Sequence, residues 1–525
     1  MMRRILNKKY NLYNGIIRCF LPIIITLLII AIFLTVFCCS NNEGNASWWC
    51  SYLATTIILI TAIAALLVQE SLKENLQQII VSILPVIALI GVLAAICNRS
   101  QNPSLYAMSV TMSAPTLLFF MREERNMVRF TALCLFIVCF FCVANSKSRT
   151  GCIAMVISTF FILPIFIKIR IKLLASIAFI IIMCVTGILF FTKADSSLGR
   201  KFILERSIDM IREKPGGRGI GGFESDYMEF QAVYFEHNND EVAEILADDI
   251  KHPLNEFVKI AVDYGIITLI LIIPVIAFVL YKLYSHKNSF SVAAFHFSLI
   301  LLVWCCFSYP LSTPFVQLFI WIYTLPCIIN IKIINRKGVK IIIGIVLIIA
   351  TCIEGKATID DCKWNVAIKE YHKGNIDKAM RVFQKYDSYL IDKGKLLYSL
   401  ATIEYNNKNY AQCIEICKKC KQYISSYELE IMIANSYMLA NDFTNAEKHY
   451  IKAEHMCPNR FIPLYQRFKI YREKGEWDKM LVLGNIILNK KIKVPSRKID
   501  IILNNVKYEL QRNRHTSEPK IVINK

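Results

Sequence analysis

The sequence predicts an all-α protein in two parts: a polytopic helical bundle in a membrane, followed by a helical solenoid. Three observations carry this. The 525 residues are 55% hydrophobic with a mean hydropathy of +0.43, too apolar for a soluble protein of this size. The apolar residues fall in blocks of bilayer length up to about residue 355. Hydropathy then drops, and a period of about 34 residues takes over.

Eleven blocks read as spans: Cys19–Cys39, Trp49–Val68, Leu76–Cys97, Ser104–Met121, Phe130–Ala144, Cys152–Ile167, Leu173–Thr192, Phe257–Tyr281, Ser291–Tyr309, Phe315–Ile331 and Ile341–Ile353. Phe130–Ala144, Cys152–Ile167 and Ile341–Ile353 are short against the ~20 residues a span needs, and Lys340 can snorkel to lengthen the last. The first block follows a basic start but is long and lacks a small-residue cleavage site, so it reads as a retained anchor. With a cytoplasmic N-terminus, the cytoplasmic segments hold eighteen Lys and Arg, and the short opposite loops hold only Arg99, Lys147 and Arg149. This positive-inside bias accounts for much of the +21 net charge without nucleic acid. It places the 193–255 loop, and everything after the eleventh span, outside the cytoplasm.

Most of the nineteen cysteines lie in the apolar blocks, where Cys is a small filler. Cys362, Cys413, Cys417, Cys420 and Cys457 fall in the C-terminal part, an unusual load of thiols for an oxidising compartment. No CxxC or Cys/His zinc spacing stands out. Charges are nearly absent from the span interiors, which argues against a proton-coupled transporter; His296 reads as a helix-packing residue.

The membrane part covers 1–355. Its long polar loop, 193–255, is where a polytopic protein places its working surface. The loop begins with Gly199-Arg200 and an amphipathic stretch over 200–214, suited to lying on a bilayer surface. Pro215-Gly216-Gly217-Arg218-Gly219-Ile220-Gly221-Gly222-Phe223 follows, a flexible turn whose N–H groups suit phosphate. Nine carboxylates and no Lys or Arg lie between Glu224 and Asp249, too diffuse for a metal site and better read as a solvated lid. His252-Pro253-Leu254-Asn255-Glu256-Phe257 closes the loop; His and Glu suit proton removal from a hydroxyl near neutral pH. An earlier tight loop carries Ser148-Arg149-Thr150-Gly151, and Arg149 can fork onto an anion.

The second part covers 360–510, with a disordered polar tail at 511–525. Gly374-Asn375-Ile376, Lys408-Asn409-Tyr410, Asn441-Asp442-Phe443 and Gly475-Glu476-Trp477 recur at spacings of 34, 33 and 34, with Ala367, Ala401, Ala434 and Phe468 at matching earlier positions. Small residues there permit close helix approach, and the aromatics plug the turns. Over 362–495 this resembles the tetratricopeptide repeat (TPR), which implies a concave surface for a protein partner.

Taken in order, Ser148-Arg149-Thr150-Gly151, Gly199-Arg200, Pro215…Gly219-Ile220-Gly221-Gly222-Phe223 and Asn255-Glu256-Phe257…Asp263-Tyr264-Gly265 resemble the O-antigen ligase and polymerase superfamily over a core of roughly 100–330. Where that family's pattern sets a histidine, this chain has Leu254; its final glycine is Thr268. The resemblance implies a GT-C-like membrane glycosyltransferase that moves a glycan from an undecaprenyl-pyrophosphate carrier, at the periplasmic face of the bacterial inner membrane, to lipid A core, a growing polysaccharide or a protein hydroxyl. It implies inversion, no cofactor, no metal and no nucleic acid. Arg149, Arg200 and Arg218 become candidates for the donor diphosphate, Asn255 for positioning acceptor or sugar, and His252 or Glu256 for the base. A transporter of lipid-linked sugars and a non-enzymatic anchor for the repeats are the competing readings.

Overall fold

The computed structural model describes residues 103–122, 126–166, 194–285, 289–313, 337–375 and 393–517, with scattered positions in 316–323 and 378–382. The expected spans Cys19–Cys39, Trp49–Val68, Leu76–Cys97 and Leu173–Thr192, and most of Phe315–Ile331, lie outside them. Every regular element described is a helix. The chain divides into two compact units: 1–192, 254–256 and 271–390 form one, and 193–253, 257–270 and 391–525 the other. The long loop therefore groups with the repeats rather than with the spans that flank it.

In the first unit, α1 (Pro103–Met121), α2 (Asn126–Ser146), α3 (Arg149–Phe166) and α9 (Ser289–Phe307) pack together. α2 is 21 residues and α3 is 18, so both blocks gain flanking residues; α2 reaches bilayer length, while the apolar part of α3, Arg149–Ile162, stays shorter. α2, α8 (Ile266–Ser285) and Phe290–Phe307 are long and apolar enough to cross a membrane; the chain is a membrane protein. The core gathers Met108, Met112 and Leu117 of α1, Phe136 of α2 and Phe297 and Trp304 of α9. Lipid supplies no hydrophobic drive between helices, so close packing and internal hydrogen bonds hold them. Trp304 Nε1 donates to Thr111 Oγ1 at 2.9 Å. His296 is fully buried, lies 3.1 Å from Ser158 Oγ and stacks on Phe161, a packing role.

One departure concerns the block Phe257–Tyr281. The chain breaks at Gly265 (φ 90) into α7 (Glu256–Tyr264) and α8, because Ile266 N–H donates to Pro215 O at 3.0 Å instead of continuing the helix. Another concerns the last span. Ile341–Ile353 sits inside α10 (Lys337–His372), a single 36-residue helix. At 1.5 Å per residue it runs about 54 Å, well beyond the expected span, and its apolar stretch Gly344–Ile353 is shorter than the helices that can cross a membrane.

In the second unit, α11 (Lys393–Asn406), α12 (Tyr410–Cys420), α13 (Tyr427–Leu439), α14 (Phe443–Met456), α15 (Ile462–Lys474), α16 (Trp477–Asn489) and α17 (Arg497–Ser517) each pack on the next. Short connections make successive helices antiparallel. Lys408, Asn441 and Gly475 have positive φ, as does Gly374 of the first unit. After each, the next N–H closes the same bond: Asn375 to Glu370 O, Asn409 to Glu404 O, Asp442 to Tyr437 O and Glu476 to Tyr471 O, at 2.9–3.0 Å. This is the Schellman closure, in which the C″ amide reaches back to satisfy an end carbonyl. Ala401, Ala434 and Ala446 are fully buried. Trp477 is 49% exposed, so the expected aromatic plug loosens at the last pair. α17 runs to Ser517, into the stretch 511–525 expected as a tail, with Val506 and Leu510 buried on α15 and α16; residues 518–525 lie outside the described residues.

The loop itself folds. α4 (Ala194–Glu213), α5 (Gly222–His237) and α6 (Glu241–Leu246) pack together. Phe202, Ile203 and Met210 of α4 are buried, while Leu204 is exposed and Ile208 and Ile211 are half-buried, so part of the helix's apolar surface meets protein. The acidic stretch is no solvated lid: it docks on one edge of the helix pairs. Glu229 pairs with Lys452 at 2.6 Å. Asp248 pairs with Arg460 at 2.7 Å, and Lys493 lies 3.8 Å from its other oxygen. Arg460 and the Asp249 amide hold the Asp248 carboxylate below its ordinary pKa against the opposing cost of burial. Bonds to backbone carbonyls add to this: Ser425 N–H to Glu224 O at 2.9 Å, Gln231 Nε2 to Met456 O, and Asn459 Nδ2 to Ala247 O. Reversing one half of a pair (Glu229→Lys) is expected to loosen the loop and raise its proteolysis; adding Lys452→Glu is expected to recover most of the protection. Equal cleavage of the single and double variants would deny the docking.

Candidate functional site

α3 begins at Arg149, inside the stretch expected to be a tight loop. Lys147 takes a left-handed φ of 54 and ends α2. Ser148 Oγ accepts the Gly151 N–H at 3.3 Å, an N-cap. Gly151 has no room for a side chain: a Cβ would lie 2.8 Å from Ala107 Cβ and 3.0 Å from Val143. This glycine lets the start of α3 sit against α1 and α2. Arg149 is thus the half-buried first residue of a helix, where the helix dipole favours an anion.

Asn255 and Glu256 belong to the same unit. Asn255 Nδ2 donates to Cys306 O at 3.1 Å, and Glu256 Oε1 accepts the Leu311 N–H at 2.9 Å. Leu311 lies in a 3₁₀ turn, Pro310–Ser312, just past α9. Glu256 is 4% exposed, and a buried carboxylate so bonded is oriented. The contacts fix where Arg149 lies: Gly151 approaches Ala107, Thr111 is one turn further along α1, and Thr111 bonds Trp304 near the end of α9 that carries Cys306. Arg149, Asn255 and Glu256 therefore share one end of the bundle. Pro253 is not a first-turn proline, since α7 starts at Glu256. Leu254 adopts φ 55, a left-handed conformation costing about 1–2 kcal/mol for a residue with a Cβ. His is several-fold enriched among the non-glycine residues that take it, so Leu254 holds a conformation more usual for histidine than for leucine.

In the other unit, the Gly-rich turn has its amides committed. Arg218 N–H donates to Val262 O and Gly219 N–H to Asp263 O, both at 2.9 Å. Phe223 N–H donates to Asp263 Oδ1 at 2.9 Å. Asp263 is 4% exposed; burial pushes its pKa up, against the Phe223 amide, Lys259 and the Gly221 amide. It occupies the N-terminus of α5, the place expected for a phosphate. Gly217 (φ 93) and Gly265 (φ 90) meet backbone to backbone: a Cβ on Gly217 would lie 2.6 Å from Gly265 N, and one on Gly265 2.7 Å from Gly216 O. The turn is a knot that ties the loop to the α7–α8 junction.

Arg218 is committed too. Its guanidinium pairs with Asp226 at 2.8 Å and Glu213 at 3.4 Å, and lies over the Phe230 ring at 4.6 Å. Arg200 is half-buried on α4. His252 is half-buried, and its pKa falls to about 4 through burial, then repulsion from Lys259, Lys395 and Lys251. Its folded value lies below the ~6.5 of the unfolded chain. The unfolded state therefore takes up the proton first, and stability is lost as pH falls from about 6.5 to about 4. His252→Gln is expected to flatten the fall of thermal unfolding temperature over that window. An identical fall in both proteins would place His252 in an ordinary solvated setting.

Sequence reasoning missed Asp263 as an anchor and the knot it stabilises. The paired glycines at 217 and 265 were the available signal. Among the described residues no cluster of His, Cys, Asp and Glu suits a metal ion. No curated protein matches the chain. Residues 134–273, which hold Arg149, Arg200, Arg218, His252, Asn255 and Glu256, match the family model described as O-antigen ligase, and this similarity supports glycan transfer of the O-antigen ligase type.

Proposed function

We propose that this membrane protein transfers a glycan from a polyprenyl-diphosphate carrier to an acceptor hydroxyl at the periplasmic face of a bacterial inner membrane. The observation that carries the reading is the shared end of the bundle, with Arg149 at a helix N-terminus and Asn255 and an oriented Glu256 beside it, inside the segment that matches O-antigen ligase. The sugar–oxygen bond to the diphosphate breaks as the acceptor oxygen attacks the anomeric carbon. Charge develops on the diphosphate, and Arg149 with the amide end of α3 stabilises it. Glu256 takes the acceptor proton, with Asn255 orienting acceptor or sugar. His252 is uncharged at neutral pH, because burial pushes its pKa down to about 4. Arg218 shapes the loop through Asp226 rather than touching donor.

The repeats form a tetratricopeptide-type solenoid whose edge holds the loop and whose remaining face receives a protein. Loop and repeats pack in one unit, so they lie on one side of the membrane. That requires an even number of spans between residues 253 and 391. α8, α9, Phe315–Ile331 and Ile341–Ile353 make four, which supports Ile341–Ile353 as a span. The positive-inside bias then sets that side as the periplasm.

The test is purified full-length protein in vesicles with a polyprenyl-diphosphate-linked oligosaccharide and candidate acceptors: lipid A core, polysaccharide and protein. The reading expects free polyprenyl diphosphate and a glycosylated acceptor in one arm. Intact donor in every arm counts against it.

A further inference from the structure

Ile220 is the most exposed large apolar side chain described, at 89%. Lone exposed apolar residues are common, but this one sits on an uncommonly rigid support. Gly219 (φ 97) and Gly221 (φ 77) flank it in backbone conformations that side-chain-bearing residues rarely adopt. The turn is pinned on both sides: Arg218 N–H to Val262 O, Gly219 N–H to Asp263 O, and Ile266 N–H to Pro215 O. These anchor points are the entry to α8, which is apolar enough to cross the membrane and almost wholly unburied by protein.

The depth of that entry is marked by chemistry. Tyr264 is 50% exposed, and Tyr favours the headgroup level. Ile266, Ile267 and Ile270 follow, at 42%, 69% and 60% exposure, forming the start of a lipid-facing run. The knot therefore holds Ile220 beside the level at which α8 enters the hydrocarbon. From this continuity with the span we propose that Ile220 is a bilayer wedge: it inserts among phospholipid acyl chains of the outer leaflet and fixes the height of the 193–253 segment above the membrane. The inference is independent of glycan transfer.

Two measurements test it. The unaltered protein is reconstituted in phosphatidylcholine–phosphatidylglycerol vesicles containing a phospholipid with a diazirine on its acyl chain. After photolysis, mass spectrometry is expected to find label on the peptide containing Ile220 as well as on that containing Ile267, and none around Asn239. In the second, an environment-sensitive fluorescent amino acid replaces residue 220, 267 or 239, and vesicles carry brominated acyl chains. Emission at 220 is expected to be quenched as at 267, while 239 is unaffected. Label and quenching confined to 267 overturn the wedge. So does a signal at 220 that appears only after a polyprenyl phosphate is added, which would assign Ile220 to a polyprenyl tail instead.

Discussion

Arg149→Ala lowers glycan transfer by about 10²–10³-fold in kcat, the loss seen when one preorganised donor to a developing anion is removed. The side chain is half-buried at the first position of α3 and takes no part in the Ser148–Gly151 cap, so the helix start survives and thermal unfolding is expected to stay near wild type. Lys at this position keeps the charge but not the planar fork, and is expected to recover only part of the rate. Kinetics on a purified lipid-linked donor distinguish this from a binding defect: transition-state stabilisation lowers kcat, whereas uniform donor binding raises KM alone. Full activity in Arg149→Ala would remove the arginine from the mechanism.

Gly217→Ala unties the loop. The new Cβ meets Gly265 N and Asp263 O at 2.6 and 2.7 Å, and the residue must hold φ 93. Strain and steric displacement together cost about 2–4 kcal/mol, with faster proteolysis over 215–225 and loss of transfer activity. Gly216→Ala is the internal control, because a Cβ there meets nothing within 4 Å. If the two variants behave alike, the close approach of the two turns does not support the loop.

Much of the architecture was legible because membrane helices and helical repeats write themselves locally. A bilayer demands unbroken apolar runs, and the repeat returns the same capping geometry at Gly374, Lys408, Asn441 and Gly475. Ser148-Arg149-Thr150-Gly151 read as a tight loop, yet the helix already starts at Arg149. Non-local pairings did not show. Gly217 and Gly265 are 48 residues apart, and nothing in either turn alone says that it rests on the other. The amides of the Gly-rich turn looked ready for phosphate, yet Val262 and Asp263 accept them. The carboxylates of 224–249 looked like a solvated lid because their partners, Lys452, Arg460 and Lys493, lie more than two hundred residues downstream. Glu256 was one of two bases on sequence grounds; the Leu311 amide that orients it comes from beyond α9.

The most direct measurement of the central claim is comparative mass spectrometry of lipid-linked oligosaccharides, surface glycans and glycoproteins from cells with and without this gene. Without it, the lipid-linked donor is predicted to accumulate and one class of glycan–acceptor product to disappear, restored by the wild-type gene and not by Arg149→Ala. Unchanged donor and product profiles, or full restoration by Arg149→Ala, would contradict the account.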